Sequence, residues 1–164
     1  MKTQTKLLIA LIFTAFCFGS NTEVKAQNYD QALGLRGGYS GGITYKNTLG
    51  GHRAFEGILS TRYRGVKFTG LYQIHKPAFR TKNFHWYYGA GAHVGFYDNR
   101  YYFGPDGEVY RGPVTSVGID GILGLEYQIP EIPFLVSIDV KPFWDIIYPG
   151  PSYWDAGLSL RYYW

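Results

Sequence analysis

The sequence predicts an all-β fold in which eight antiparallel strands form an up-and-down barrel. Tyr and Gly, both weak helix formers, are abundant, with 16 Tyr and 22 Gly among 164 residues. Apolar residues recur with period two between Gly-, Pro-, Asn- and Asp-containing breaks, and no apolar stripe of helical spacing lasts more than a turn. With 19% aromatic residues, the chain is also unlike a disordered protein.

The first segment has the pattern of a secretory signal peptide. In residues 1–26, two lysines precede a short apolar run, and Val24 and Ala26 fit the small-residue positions of a cleavage site. The run is too short to cross a bilayer as a helix. The barrel domain is therefore predicted over residues 27–164. The single cysteine, Cys17, lies in the signal, so the domain has neither a disulfide nor a cysteine-based metal site.

Eight runs of alternating apolar and polar residues give the predicted strands. They cover about residues 31–40, 41–48, 53–63, 65–75, 84–97, 114–128, 134–144 and 153–164. Each break between them contains Gly or Pro, which terminate strands and form turns. Most breaks are short, so strands adjacent in sequence can pair antiparallel.

Every predicted strand has an apolar and a polar face, and period two alone does not decide which face is inside. A lipocalin-like soluble barrel buries the apolar face, whereas a membrane barrel turns it outward. Three observations favour a transmembrane β-barrel. The polar faces are rich in Gly, which suits a narrow lumen, and aromatic residues cluster near strand ends as interfacial girdles do. The chain also ends on an aromatic residue, Trp164, in phase with the apolar face of its strand.

Several stretches carry a resemblance to a known family. They are VKAQ at 24–27, GLRGGY at 34–39, YGAGAH at 88–93, GILGLEY at 121–127 and GLSLRYYW at 157–164. On these residues, the chain resembles the small eight-stranded outer-membrane β-barrel proteins of the kind common among Bacteroidota. The resemblance implies a fold and an outer-membrane location, but no single activity. It also implies a C-terminal signal for the insertion machinery, carried by Gly157, Leu158, Leu160, Tyr162 and Trp164.

An even number of strands places both mature termini on the periplasmic side. The longest outward connection is then the stretch 98–113, and inward turns lie near 49–52, 76–83 and 129–133. Pro105-Asp106-Gly107 is a turn signal flanked by aromatics, so the stretch is either a long loop or a hairpin that continues the strands. Its candidate surface residues are Tyr101, Tyr102, Phe103, Asp106, Tyr110 and Arg111.

The lumen is predicted to hold a charge network. An eight-stranded barrel has an interior just wide enough for side chains, and buried charges must be paired. The sequence therefore favours a salt-bridged plug, with a polar conduit or ligand pocket as the alternative. The predicted lumen-facing charges are Arg36, Lys46, Arg62, Lys67, Lys141 and Arg161, with Glu56, Asp120, Glu126 and Asp139.

Two groups of residues have the chemical types of an active or metal site. His93, Ser116 and Asp120 point inward on neighbouring predicted strands, which is the set of residue types used in Ser–His–acid catalysis. His75 and His85 lie at strand ends, where they could share a metal, but no further acid or cysteine sits at ligand spacing. A hydroxyl, an imidazole and a carboxylate also fall on neighbouring strands easily by chance. We therefore expect no enzyme activity, no metal and no cofactor.

The expected function is a structural or accessory surface role in the outer membrane, non-catalytic and without a wide pore. The alternatives are an outer-membrane enzyme acting on lipid A acyl chains, and a small ligand- or partner-binding barrel. The expected partners are outer-membrane lipid and lipopolysaccharide, the insertion machinery during biogenesis, and an unidentified protein. The formal net charge of +4 is too small to say much about nucleic acid, and the export signal argues against a nucleic-acid partner.

Overall fold

The computed structural model describes residues 29–62, 64–79, 81–149 and 153–164, and the predicted signal peptide lies outside them. The described residues form eight strands, as predicted. They are β1 Gln31–Gly38, β2 Gly41–Thr48, β3 Arg53–Arg62, β4 Gly65–Pro77, β5 Phe84–Phe103, β6 Val109–Gln128, β7 Phe134–Ile147 and β8 Trp154–Tyr163. In this part of the chain, no helix has both the length and the apolar character needed to cross a membrane.

The sheet closes on itself. Each strand pairs antiparallel with its neighbour in sequence, and β1 also pairs with β8, from Ala32 opposite Tyr163 to Gly38 opposite Gly157. Closure satisfies the backbone hydrogen bonds of the first and last strands, which would otherwise be unpaired edges. The predicted eight-stranded antiparallel barrel is confirmed.

The alternation of the sequence places polar side chains inside. In β8, Leu158 and Leu160 are 58% and 51% exposed, whereas Ser159 and Arg161 are fully buried. The same phase holds in β4, where Phe68 is exposed and Lys67 is buried. The barrel therefore has an apolar outer wall and a polar interior, the reverse of a soluble barrel.

A minority of apolar side chains also face inward. Ile58, Leu71, Tyr87 and Ile122 form a small cluster within the barrel. They fill space between the polar groups, because an eight-stranded barrel has no room to leave its interior empty.

The long connection after β5 is a hairpin. Both β5 and β6 contain 20 residues, and beyond Tyr97 the strand β5 pairs only with β6. The predicted loop over 98–113 is therefore wrong as a loop, because only residues 104–108 lie between the strands, and the hairpin alternative is confirmed. Of the candidate surface residues, Asp106 lies in the turn, Tyr101, Tyr102 and Phe103 lie in β5, and Tyr110 and Arg111 lie in β6.

Local interactions hold the tip of this hairpin. The Asp106 carboxylate accepts hydrogen bonds from the backbone N–H of Glu108, at 3.1 Å, and from the Tyr110 hydroxyl. These bonds, the Tyr110 bond first, lower the pKa of Asp106 because they stabilise its ionised form. Gly107 has a φ of 82°, a left-handed conformation that glycine adopts without steric cost. The Pro-Asp-Gly sequence therefore forms the turn that its residue types favour.

Closure of the barrel can be tested by a disulfide between β1 and β8. Leu35 and Leu160 are directly opposite and both face outward. Opposed residues on antiparallel strands have Cα atoms about 4.5–5.5 Å apart, which suits a disulfide. We expect Leu35→Cys with Leu160→Cys to cross-link on mild oxidation of the chain lacking residues 1–26, measured by thiol titration and peptide mass spectrometry.

The matched control pairs Leu35→Cys with Ile138→Cys on β7, which lies one strand beyond β8. Two strand spacings of about 4.8 Å separate these positions, too far for a disulfide. An open sheet would leave the β1–β8 pair uncrosslinked as well.

Candidate functional site

Among the residues that the structure describes, twelve Asp, Glu, Lys and Arg side chains are buried inside the barrel, six of each sign. Nine of the ten residues predicted from the sequence are among them, and the tenth, Arg62, is half-buried with its guanidinium 3.2 Å from the ring centre of Tyr39. The sequence prediction omitted Arg100, Asp145 and Asp155. The six cations are Arg36, Lys46, Lys67, Arg100, Lys141 and Arg161, and the six anions are Glu56, Asp120, Glu126, Asp139, Asp145 and Asp155.

Glu126 is the centre of a cluster near the end of the barrel that carries both chain termini. One carboxylate oxygen accepts a hydrogen bond from the Lys46 ammonium at 2.8 Å, and the other accepts one from the Tyr29 hydroxyl at 2.8 Å. The Arg161 guanidinium lies 3.7 Å away and the His75 ring 3.9 Å away. Tyr29, which precedes β1, thus ties the start of the barrel to a buried carboxylate.

Arg161 links this cluster to Glu56. Its guanidinium donates to the carboxylate of Glu56, to the Ser137 hydroxyl at 2.7 Å and to the Thr44 hydroxyl at 3.2 Å. Glu56 also accepts from the side-chain amide of Gln73. One side chain on β8 therefore ties together groups from β2, β3 and β7, and every nitrogen of its guanidinium has an acceptor.

Asp139 holds the middle of the lumen. Its carboxylate accepts from Arg36 on β1 at 2.5 Å and from the Tyr87 hydroxyl on β5 at 3.2 Å. Neither donor is on a neighbouring strand, so each must cross one strand to reach it. The residues that they cross are glycines: Gly124 lies between Tyr87 and Asp139, and Gly157 pairs with Asp139 on its other side.

These glycines are sites of close approach. A Cβ atom on Gly124 would lie 2.5 Å from the Tyr87 ring, and one on Gly157 would lie 2.5 Å from the Arg36 guanidinium. Any side chain there would displace the donor that reaches Asp139. The glycines on the polar faces thus allow large side chains to lie across neighbouring strands within a narrow lumen.

His93 lies between two carboxylates toward the hairpin end of the barrel. Its Nδ1 is 2.5 Å from Asp120, and its Nε2 is 2.8 Å from Asp145. Asp120 also accepts from Lys141 at 2.9 Å, and Asp145 accepts from Arg100 at 2.5 Å. This five-residue chain alternates in charge when the imidazole carries a proton on each nitrogen.

The contacts of His93 differ from those of a Ser–His–acid triad of His93, Ser116 and Asp120. The structure brings His93 and Asp120 together, but Asp145 occupies the second ring nitrogen. A general base needs a free nitrogen lone pair directed at the nucleophile. Because both ring nitrogens of His93 contact carboxylates, neither is directed at Ser116, whose hydroxyl has no hydrogen-bond partner among the described residues.

The other two candidate histidines, His75 and His85, lie near the adjacent ends of β4 and β5. Both side chains are buried, and the His75 ring stacks on the Tyr87 ring with the ring centres 5.1 Å apart. Within the described residues, no group of three or more His, Cys, Asp or Glu side chains is placed to hold a metal ion.

The hairpin end of the lumen is also filled. The Lys67 ammonium lies 4.3 Å from the ring centre of Phe143, and Ser40 donates to Asp155 at 2.6 Å. The cavity between these groups, which Arg62 also lines, has a volume of about 20 Å³. That is enough for one water molecule. The geometry is therefore that of a packed, internally paired interior.

The sequence carried a signal for two of the three missed charges. Asp145 continues the inward phase of Asp139 and Lys141, and Asp155 has the phase of Arg161. Arg100 could not be found by phase, because an irregularity between Tyr97 and Arg100 inserts an extra residue into β5. A bulge of this kind reverses which residues face inward.

The residues of the predicted C-terminal signal lie on β8 and at the end of the chain. Gly157 faces the lumen, while the side chains of the other members, Leu158, Leu160, Tyr162 and Trp164, are 48–58% exposed on the outer wall. Their role in insertion stays a prediction.

Comparisons with known proteins identify similar folds. The chain is similar to the crystal structure of the N-terminal β-barrel domain of Pseudomonas aeruginosa OprF, with 15% identity, a TM-score of 0.59, and 84% of this chain and 98% of that chain covered. It also matches the crystal structure of Neisserial surface protein A (NspA), with 11% identity, a TM-score of 0.49, and coverage of 83% and 94%. No protein-family model and no curated protein matches the sequence. At these identities, the likeness to the OprF domain shows the fold.

Removing the central cation of the lumen should destabilise the barrel strongly. Arg161→Met leaves Glu56 without its ion-pair partner, and breaking a buried ion pair from one side costs about 3–5 kcal/mol. We expect a loss of that size in the free energy of unfolding, measured by urea titration of the folded barrel. Adding Glu56→Gln should recover part of this loss, because the uncompensated charge of Glu56 is then removed.

Arg111→Met is the control for this experiment, since Arg111 is exposed on the hairpin. Surface changes of this kind stay within about 0.5 kcal/mol. Equal losses in the free energy of unfolding for Arg161→Met and Arg111→Met would contradict a stabilising role of the ion pairs in the lumen.

The close contacts around Gly124 give a second prediction about stability. An alanine at Gly124 would place its Cβ 2.5 Å from the Tyr87 ring and 2.7 Å from the Ile138 carbonyl oxygen. Overpacking of this kind costs about 1–3 kcal/mol. Gly37→Ala is the matched control, because a Cβ there meets no atom within 4 Å. We expect only Gly124→Ala to lower the unfolding midpoint in urea, and equal midpoints would show that the Tyr87 position is not constrained.

Proposed function

We propose that this chain is an integral outer-membrane β-barrel protein with a structural or accessory surface role, without catalysis and without a wide pore. The observation that carries the proposal is the inverted polarity of the wall. Leu35, Trp144 and Ile146 are 69%, 64% and 64% exposed, while twelve charged side chains are buried inside. A continuous apolar exterior is unfavourable in water and favourable in hydrocarbon.

The aromatic side chains support the same proposal. Trp144 and Trp154 are exposed on the outer wall toward the hairpin end, and Trp164 is exposed at the opposite end. Tryptophan is enriched at both membrane interfaces, where its apolar ring contacts hydrocarbon and its N–H group reaches the polar head groups. The closed sheet leaves no unpaired strand edge, as hydrocarbon requires.

In the proposed orientation, both mature termini face the periplasm. Residues 1–26 direct export and are cleaved, and the β5–β6 hairpin points away from the cell. Among the described residues, β5 and β6 are the longest strands, and their hairpin exposes Tyr101, Tyr110 and Arg111. Tyrosine and arginine contribute strongly to protein recognition, so the hairpin is the element we assign to a surface role.

The packed interior supports a closed lumen. Each of the twelve buried charges except Lys67 lies within 4.0 Å of an oppositely charged group, and Lys67 instead packs over Phe143. Opening a channel would require these pairs to separate. We therefore expect no stable open state in planar-bilayer conductance recordings.

The membrane proposal is tested by expressing the whole chain in a Gram-negative host. We expect recovery in the outer-membrane fraction and a band that migrates differently on gels before and after boiling. Leu160→Arg, on the outer wall, should make folding into vesicles less favourable. The expected loss of stability is up to about 2–4 kcal/mol, depending on depth, because a charge then faces hydrocarbon.

Glu108→Arg is the control, because Glu108 is exposed in the hairpin turn. It should leave folding into vesicles unchanged. Recovery of the chain in the soluble periplasm, with no shift on boiling and no effect of Leu160→Arg, would overturn the membrane proposal.

A further inference from the structure

A groove runs along the outer wall across β5, β6 and β7. Trp86 and Tyr88 of β5 form one side, and Ile138 and Val140 of β7 form the other. Leu123 and Leu125 of β6 lie between them, in register with both strands. The groove has a volume of about 660 Å³, within the range of pockets that hold a drug-sized molecule.

The side of the groove formed by β5 is a pair of stacked aromatic rings. The rings of Trp86 and Tyr88 stack with centres 5.1 Å apart and planes 28° apart. Both residues are only partly exposed, so they lie against the wall rather than projecting from it. Flat aromatic faces on one side and branched aliphatic side chains on the other suit an extended hydrocarbon chain.

A positive charge stands at one end of the groove. Lys76 is opposite Trp86 in register, and its ammonium lies 5.8 Å from the Trp86 ring centre and 6.0 Å from the Tyr88 ring centre. Phe79 lines the same end. Among the described residues, no carboxylate lies within ion-pair distance of the Lys76 ammonium.

The nearest acid in the groove does not neutralise this charge. Asp139 borders the groove, but its side chain is fully buried, and its carboxylate is held by Arg36 at 2.5 Å inside the lumen. The groove therefore combines an apolar floor with the exposed ammonium of Lys76. Its chemistry is complementary to an anionic head group joined to an acyl chain.

We propose that this groove binds one anionic glycerophospholipid. An acyl chain lies along Leu123, Leu125 and the aromatic side, and the lipid phosphate pairs with Lys76. The lysine can extend its aliphatic stem over the aromatic rings and keep its ammonium at the depth of the head groups. The inference rests on the proposed function, because it requires the outer wall to face a bilayer. It places the lipid in the leaflet nearest the chain termini.

A second groove on the same wall provides an internal comparison. It has a volume of about 510 Å³ and is lined by Gly121, Pro142, Trp144 and Trp154 toward the hairpin end. Asp120 also borders it, but that carboxylate is directed inward to His93 and Lys141. With no exposed cation among its described lining residues, this groove offers acyl chains contact but gives a phosphate no partner.

The test measures lipid retained by the folded barrel. The chain lacking residues 1–26 is folded into nanodiscs containing phosphatidylglycerol and phosphatidylethanolamine, extracted in mild detergent, and analysed by native mass spectrometry. We expect one retained phospholipid per barrel, with phosphatidylglycerol preferred. Lys76→Gln should weaken retention about tenfold, as expected for the loss of one charge-assisted contact. Lys76→Arg should retain the lipid.

Two matched controls separate the groove from general lipid contact. Lys82→Gln removes an exposed lysine from the neighbouring turn, and Leu35→Trp enlarges an outward side chain on β1; both should retain lipid as the unaltered chain does. Leu123→Trp fills the groove and should abolish retention. Diacylglycerol, which lacks the phosphate, should be lost on extraction.

Each outcome bears on the inference separately from the membrane proposal, because the shift on boiling reports insertion for every variant. A barrel that inserts but retains no phospholipid overturns the inference alone. Equal retention by Lys76→Gln, or of diacylglycerol, removes the phosphate contact and overturns it too. A dimer in place of the lipid adduct would show that a second copy of the chain covers the groove.

Discussion

The structure depends on one constraint, the pairing of β1 with β8. Once these strands pair, every strand has two hydrogen-bonded neighbours and the barrel circumference is set by eight strand spacings. Alternate residues of all eight strands must then share an interior only a few side chains wide. Because that interior is too narrow to solvate charges freely, each ionised group that enters it needs a partner supplied by another strand.

The lumen meets this requirement with a small number of side chains that reach across the barrel. Arg161, Asp139 and His93 each contact groups from at least two other strands. Such reach needs empty space over the strand that is crossed, and glycine supplies it at Gly124 and Gly157. The charge network and the glycine content are therefore two parts of the same packing solution.

The barrel's own side chains occupy most of its interior. His93, the most suggestive catalytic residue of the sequence, is held on both nitrogens by carboxylates, and the cavity at the hairpin end is about the size of one water molecule. The surfaces that we propose for recognition lie elsewhere, on the β5–β6 hairpin and along the outer wall near Lys76. The polar interior stabilises the barrel, and the proposed contacts with other molecules are made by its exterior.

The strands and their two faces follow from the amino-acid sequence alone, because period-two alternation is a local pattern that can be recognised without knowledge of the fold. Nine buried charges could be named from it, and Asp145 and Asp155 had the same phase. The sequence could not assign Arg100, because a bulge changes the phase of β5 after Tyr97. Nor could it pair Arg36 with Asp139 or His93 with Asp145. Partners across a lumen depend on the stagger of the closed strands, and only the tertiary structure sets that stagger.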